Sequence, residues 1–213
     1  MTQEQQQALQ AIARRRISDA DPAHDFAHAK RVLKNALEIA KEEADVDLDV
    51  LIPAAWFHDA VNYPKNDPRS AQASDESAEL AGTILSGIEW YPQEKIEQVK
   101  LAIQRCSYSK NLPKDRIEQW IVQDADLLES TGALIIARLF CSTGQMNRPF
   151  YDPEDPKAEH RELDMKKWAL DLFPGRLFLI KDRVHTVAAK RIALERDIVL
   201  HDFYNQFVKE IGA

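Results

Sequence analysis

A chain of 213 residues and 24.3 kDa lies near the upper end of what one hydrophobic core organises, so a single domain over 1–213 is the expectation. With 45% hydrophobic and 30% charged residues, the composition is ordinary for a globular protein and excludes disorder. A formal charge of -7 and a pI near 5.4 exclude a surface that coats nucleic acid, while leaving room for a local grip on one small phosphorylated molecule.

Taken in chain order, Gln3 to Ile17 reads as a helix with an apolar stripe at Leu9, Ile12, Ala13 and Ile17, and Arg14 to Arg16 suit its C-terminal dipole. Ser18 to Pro22 reads as a break, with Asp21 placed to cap and Pro22 to open the next helix. From about Asp25 to Ala44, Phe26, Ala29, Val32, Leu33, Ala36, Ile39 and Ala40 recur at helical spacing, with His28 and Arg31 beside that stripe. Asp45 to Asp49 caps a following helix that runs to about Asp59. That segment is almost wholly apolar, hence central, and tolerates Pro53 only in a first turn or at a kink. Two prolines make Tyr63 to Ser70 a loop carrying Lys65, Asn66 and Arg69.

Further helices are expected at about Ala71 to Ser86, Pro92 to Ser107, Arg116 to Glu129 and Ala133 to Phe140, the last a nearly all-apolar core segment. Gln145 to His160 is the longest irregular stretch, a candidate flap with Arg148 and Tyr151 placed to close over a ligand. Arg161 to Leu172 and Phe178 to Ile211 then read as helices broken at Pro174-Gly175. No segment shows the period-two alternation of a strand, so the fold class is all-α, with a motif core at about 20–140 and C-terminal helices at about 161–211. Cys106 and Cys141 are too few for a disulfide scaffold. There is neither a secretion signal nor an apolar run of the ~20 residues that cross a bilayer. No membrane association and a cytoplasmic location are therefore expected.

The apolar run Ala54-Ala55-Trp56-Phe57 ends abruptly in His58-Asp59. Burying an imidazole beside a carboxylate is costly unless the two share a hydrogen bond or a cation. His28 upstream and Asp126 downstream, in Gln123-Asp124-Ala125-Asp126, are the candidate partners. His28, His58, Asp59 and Asp126 supply two imidazoles and two carboxylates from three helices, a donor set suited to one divalent ion. The i, i+4 pair His24 and His28 is also the spacing of a helical zinc protease site. Asp25 stands there in place of the expected Glu, and nothing downstream supplies a third ligand in register.

A helical His followed by Arg-Val, a His-Asp doublet ending an apolar helix and a later Asp in Asp-Ala-Asp-Leu-Leu-Glu together resemble the HD superfamily of metal-dependent phosphohydrolases. The similarity extends through Pro64-Lys65-Asn66, Gly132-Ala133, Ile136-Ala137-Arg138 and Lys190-Arg191, and it points to a bacterial branch that acts on nucleotides. It implies His28, His58, Asp59 and Asp126 as metal ligands, with Asp124 and Glu129 as motif neighbours. No histidine lies between Asp59 and Asp126, so one ion is expected, with Mn, Mg, Co, Fe and Zn all compatible.

The activity so implied is hydrolysis of a phosphoester or phosphoanhydride bond in a small phosphorylated substrate such as a nucleotide. Asp59 or Asp124 would orient the attacking water, and Lys65, Arg69 and Arg31 would neutralise phosphoryl charge, with His24 at the pocket edge. The alternative is a non-catalytic HD module that binds a nucleotide through its metal. A homodimer is compatible with the sequence, which does not itself read the oligomeric state.

Overall fold

The structure is a computed structural model, and it describes residues 1–17, 25–63 and 67–213. Nine α-helices occur among them: α1 (Gln3–Arg16), α2 (Phe26–Ala40), α3 (Leu48–Phe57), α4 (Ala73–Ser86), α5 (Ile96–Cys106), α6 (Ile117–Leu127), α7 (Gly132–Gln145), the single-turn α8 (Leu172–Gly175) and α9 (Val187–Glu210). Short 3-10 turns fill several connections, and no strand is present among the described residues. The fold is all-α. No helix among these residues is long and apolar enough to cross a membrane.

Backbone contacts group the chain into two compact units, Met1–Asp126 with Thr186–Ala188, and Leu127–His185 with Ala189–Ala213. In the first, α3 is the centre, because every residue from Val50 to Phe57 is buried. Helices α1, α2, α4 and α5 pack around it, and α4 pairs with α5. Each large apolar side chain removed from water there contributes about 1.5–3 kcal/mol. Asp47 caps α3 through the Asp49 N–H.

Pro53 sits inside α3, beyond the first turn. Having no N–H, it leaves the carbonyl of Asp49, four residues back, without its helical donor. The Tyr91 hydroxyl fills the vacancy, donating to the Asp49 carbonyl oxygen at 2.8 Å. That replacement is how an apolar helix tolerates an interior proline.

Helix α2 ends at Ala40, four residues short of the expected Ala44. Glu42 and Glu43 would place negative charge at the negative end of the helix dipole, and Asp45 takes a left-handed conformation with φ of 56° that turns the chain.

The second unit has its own core of Leu139, Ala169, Leu170, Phe173, Leu177, Leu200 and Val208. Aromatic rings extend it, with Phe173 stacked on Phe203 at 5.7 Å and Tyr151 edge-on to Phe207 at 6.0 Å. Three expectations need correction here. The helix expected from Arg161 to Leu172 does not form, and of that stretch only Leu172 is helical, as the first residue of α8: buried Asp171 accepts from both terminal nitrogens of Arg161 and from the Asp164 N–H, and Asp164 accepts from the N–H groups of Lys166 and Lys167. These local side-chain bonds satisfy the backbone in turns and displace the helix. Within Ala133 to Phe140 only Leu139 is buried, so α7 is less central than its composition suggests. Finally, the 145–160 segment is tied down, since Phe150 and Pro149 carbonyls accept from Leu170 and Ala169 and Arg148 donates to the Met165 carbonyl and to Thr143 Oγ1. Arg148 and Tyr151 serve that packing.

Candidate metal centre

Helix α2 places the first histidine. Asp25 caps it by accepting the His28 N–H at 2.7 Å, and His28 lies on the buried face together with Val32 and Asn35, one and two turns on. The sequence set His28 beside the apolar stripe; the structure puts it within the stripe, 1% exposed.

His58 terminates α3 and Asp59 follows in the turn. The segment beyond them is held by α4, where the buried Ser77 hydroxyl accepts from the Val61 N–H at 3.0 Å and donates to the Val61 carbonyl at 3.2 Å. His58 is itself oriented by its own helix. Its Nδ1 faces the Ala55 carbonyl at 3.0 Å. A carbonyl only accepts, so Nδ1 carries the proton and Nε2 of the neutral ring presents a bare lone pair.

That lone pair faces a second imidazole and two carboxylates. His28 Nε2 lies 3.3 Å from His58 Nε2. Asp59 Oδ2 is 3.5 Å from His28 Nε2 and 3.6 Å from His58 Nε2. Asp126, near the end of α6, brings Oδ1 to 3.6 Å and 3.9 Å from the same two nitrogens. His28, His58 and Asp59 offer ligand atoms that all lie within 4.8 Å of one another. Donors about 2.1 Å from a shared ion stand about 3 Å apart at right angles and about 3.4 Å apart in a tetrahedron, close to these separations. Two imidazoles buried against two carboxylates need a proton or a cation between them, and the donor set suits a divalent ion.

Polar side chains the sequence did not single out hold the backbone around this group. Asn35 donates to the Ala125 carbonyl at 3.2 Å, immediately before Asp126, and Gln123 donates to the Cys106 carbonyl at 3.1 Å. Their signal was a polar residue in a buried helical register, seven positions after His28 for Asn35. Burial raises the Cys106 thiol well above its ordinary value, and the charges of Asp126 and Asp59 raise it further, so it stays protonated. Lys114 rests 4.7 Å over the Trp120 ring. Burial lowers its ammonium, with the Asp124 carboxylate opposing the shift.

The remaining candidates are placed differently. Asp124 is fully buried, and its Oδ2 accepts both the N–H and the hydroxyl of Thr186, at 2.7 and 2.8 Å. Arg31 is half-buried on α2. Arg69 gives Nε and Nη2 to Asp67 and stacks 4.5 Å over Tyr63. That guanidinium holds the partly buried Asp67 carboxyl down to about 2. His24 and Lys65 lie outside the described residues, as do Asp21 and Pro22.

The HD domain profile matches residues 25–131, half of the chain, and this stretch contains all four converging side chains. The chain belongs to the HD-domain family. This HD-domain protein is 29% identical to YpgQ of Bacillus subtilis over 199 residues, covering 92% of the chain and 86% of YpgQ. Its fold is similar to that of an HD-superfamily hydrolase from Bacillus thuringiensis, with a TM-score of 0.73 and 28% identity over 99% of this chain and 98% of the other. YpgQ in its crystal structure with ADP gives a TM-score of 0.73 at 25% identity, over 99% and 96% of the two chains.

Proposed function

We propose that this HD-domain protein is a metal-dependent phosphohydrolase for a small phosphorylated molecule, with a nucleotide as the substrate class. The observation that carries the reading is the convergence of His28, His58, Asp59 and Asp126, with His58 locked in the tautomer that presents Nε2. The complex of YpgQ with ADP supports the nucleotide.

In this reading the four side chains hold one divalent ion. When bound, such an ion acts as a Lewis acid toward a phosphoryl oxygen and acidifies a water. The chain's own groups do the rest. Asp59 and Asp126, one-third and two-fifths exposed, present carboxylate oxygens to the solvent side, whereas both imidazoles are sealed in the core. Of these two, Asp59 is the carboxylate proposed to orient a water. Asp124 acts through Thr186, as a positioning residue. Lys65, Arg31, Arg69 and His24 remain the proposed phosphate-facing groups, and Arg69 must leave Asp67 to serve as one.

Incubating the Mn-loaded or Mg-loaded protein with a panel of nucleoside mono-, di- and triphosphates tests the proposal. It predicts phosphate or pyrophosphate release that disappears with chelator and falls at least about 100-fold in Asp59→Ala. Tight nucleotide binding with no release in the native protein would establish the non-catalytic module instead.

A further inference from the structure

The 24-residue helix α9 buries Ala193, Leu200 and Val208 on one side and leaves an apolar stripe uncovered on the other. Leu194 is 55% exposed and Ile198, one turn on, is 62% exposed, with Val199 at 42% beside them. Large aliphatic side chains four apart, with more than half of each in water, are costly on a surface helix whose other face is already packed.

The charges flanking this stripe are polarised along the helix. Lys190 and Arg191 are exposed before it and Asp202 is exposed after it. Arg191 pairs within the helix with Glu195 at 3.3 Å, whereas among the described residues neither Lys190 nor Asp202 has an ion-pair partner.

We propose that this face of α9 is where two copies of the chain associate, helix against helix and antiparallel, about a two-fold axis passing near Arg196. The charge pattern selects this occupant. Reversing the helix about that point sets Leu194 of one copy opposite Ile198 of the other, and brings Lys190 opposite Asp202 at both ends of the contact. A parallel pairing would set Lys190 on Lys190 and Asp202 on Asp202, like charges at every end. An antiparallel two-fold contact is self-complementary, as a closed dimer requires, so each favourable pair occurs twice. Ridge-into-groove packing brings such helices to about 8–10 Å, close enough for the aliphatic side chains to interdigitate.

Sedimentation equilibrium at low salt tests this, with circular dichroism melts as the control for folding. The native chain is expected to be dimeric, and Leu194→Glu and Ile198→Glu, both at solvent-exposed positions, should each raise the dimer dissociation constant about 100-fold or more. Lys190→Asp and Asp202→Lys should each weaken the dimer about tenfold, and combining them should restore it, because the exchanged charges again meet opposite partners. A native chain that stays monomeric at tens of micromolar overturns the proposal. So does a dimer indifferent to Leu194→Glu, or a double charge exchange no better than either single one. None of these outcomes depends on catalytic activity.

Discussion

At His58 a backbone carbonyl decides the chemistry of a side chain. Because the Ala55 carbonyl accepts the Nδ1–H, Nε2 of the neutral ring is left with a lone pair aimed into the group formed with His28, Asp59 and Asp126, an arrangement suited to a shared cation. Asp124 shows the opposite commitment. Its sequence neighbourhood suggested work on a water, but Oδ2 is filled by two donors from Thr186. Sequence spacing brings Asp124 near Asp126 without telling which of them faces outward; the helix phase does, since residues two apart on a helix point to different sides. Thr186→Val removes one of those donors from a fully buried carboxylate. It should lower stability by about 1–3 kcal/mol in urea titrations. A change near zero would mean that the hydroxyl bond is not formed.

Among the elements, α3 was legible because eight consecutive buried residues leave a sequence no solvent-facing reading. What could not be read was how it survives Pro53, since the compensating hydroxyl comes from Tyr91, 38 positions along the chain from that proline. Tyr91→Phe should cost about 1 kcal/mol by leaving the Asp49 carbonyl without a donor. In a Pro53→Ala background the restored N–H can take that carbonyl, so the same substitution should cost measurably less. Equal costs in the two backgrounds would dissociate Tyr91 from the proline. The stretch 161–171 shows where periodicity misleads. Its composition allows a helix, but Asp164 and Asp171 spend their carboxylates on nearby donors, a choice set by tertiary burial of Asp171.

Across the whole molecule, the all-α class and the residues that meet at the centre were readable, since helical period and a His-Asp doublet are local signals. The supporting layer was not. Asn35, Ser77, Gln123 and Cys106 are ordinary residues until the fold buries them around the doublet and Asp126. All of these groups fall within the unit Met1–Asp126, so the centre is assembled by α2, the end of α3, α4, α5 and α6.

The most direct test of the central claim is a count of divalent ions by equilibrium Mn titration, read from the loss of the free-ion electron paramagnetic resonance signal, which requires no substrate. The four converging side chains predict one ion per chain, with the affinity falling at least about 100-fold in both His58→Ala and Asp126→Ala while their far-ultraviolet spectra stay native. A native chain that takes up no ion, or an Asp126→Ala variant that binds one as tightly as the native chain, would contradict the account.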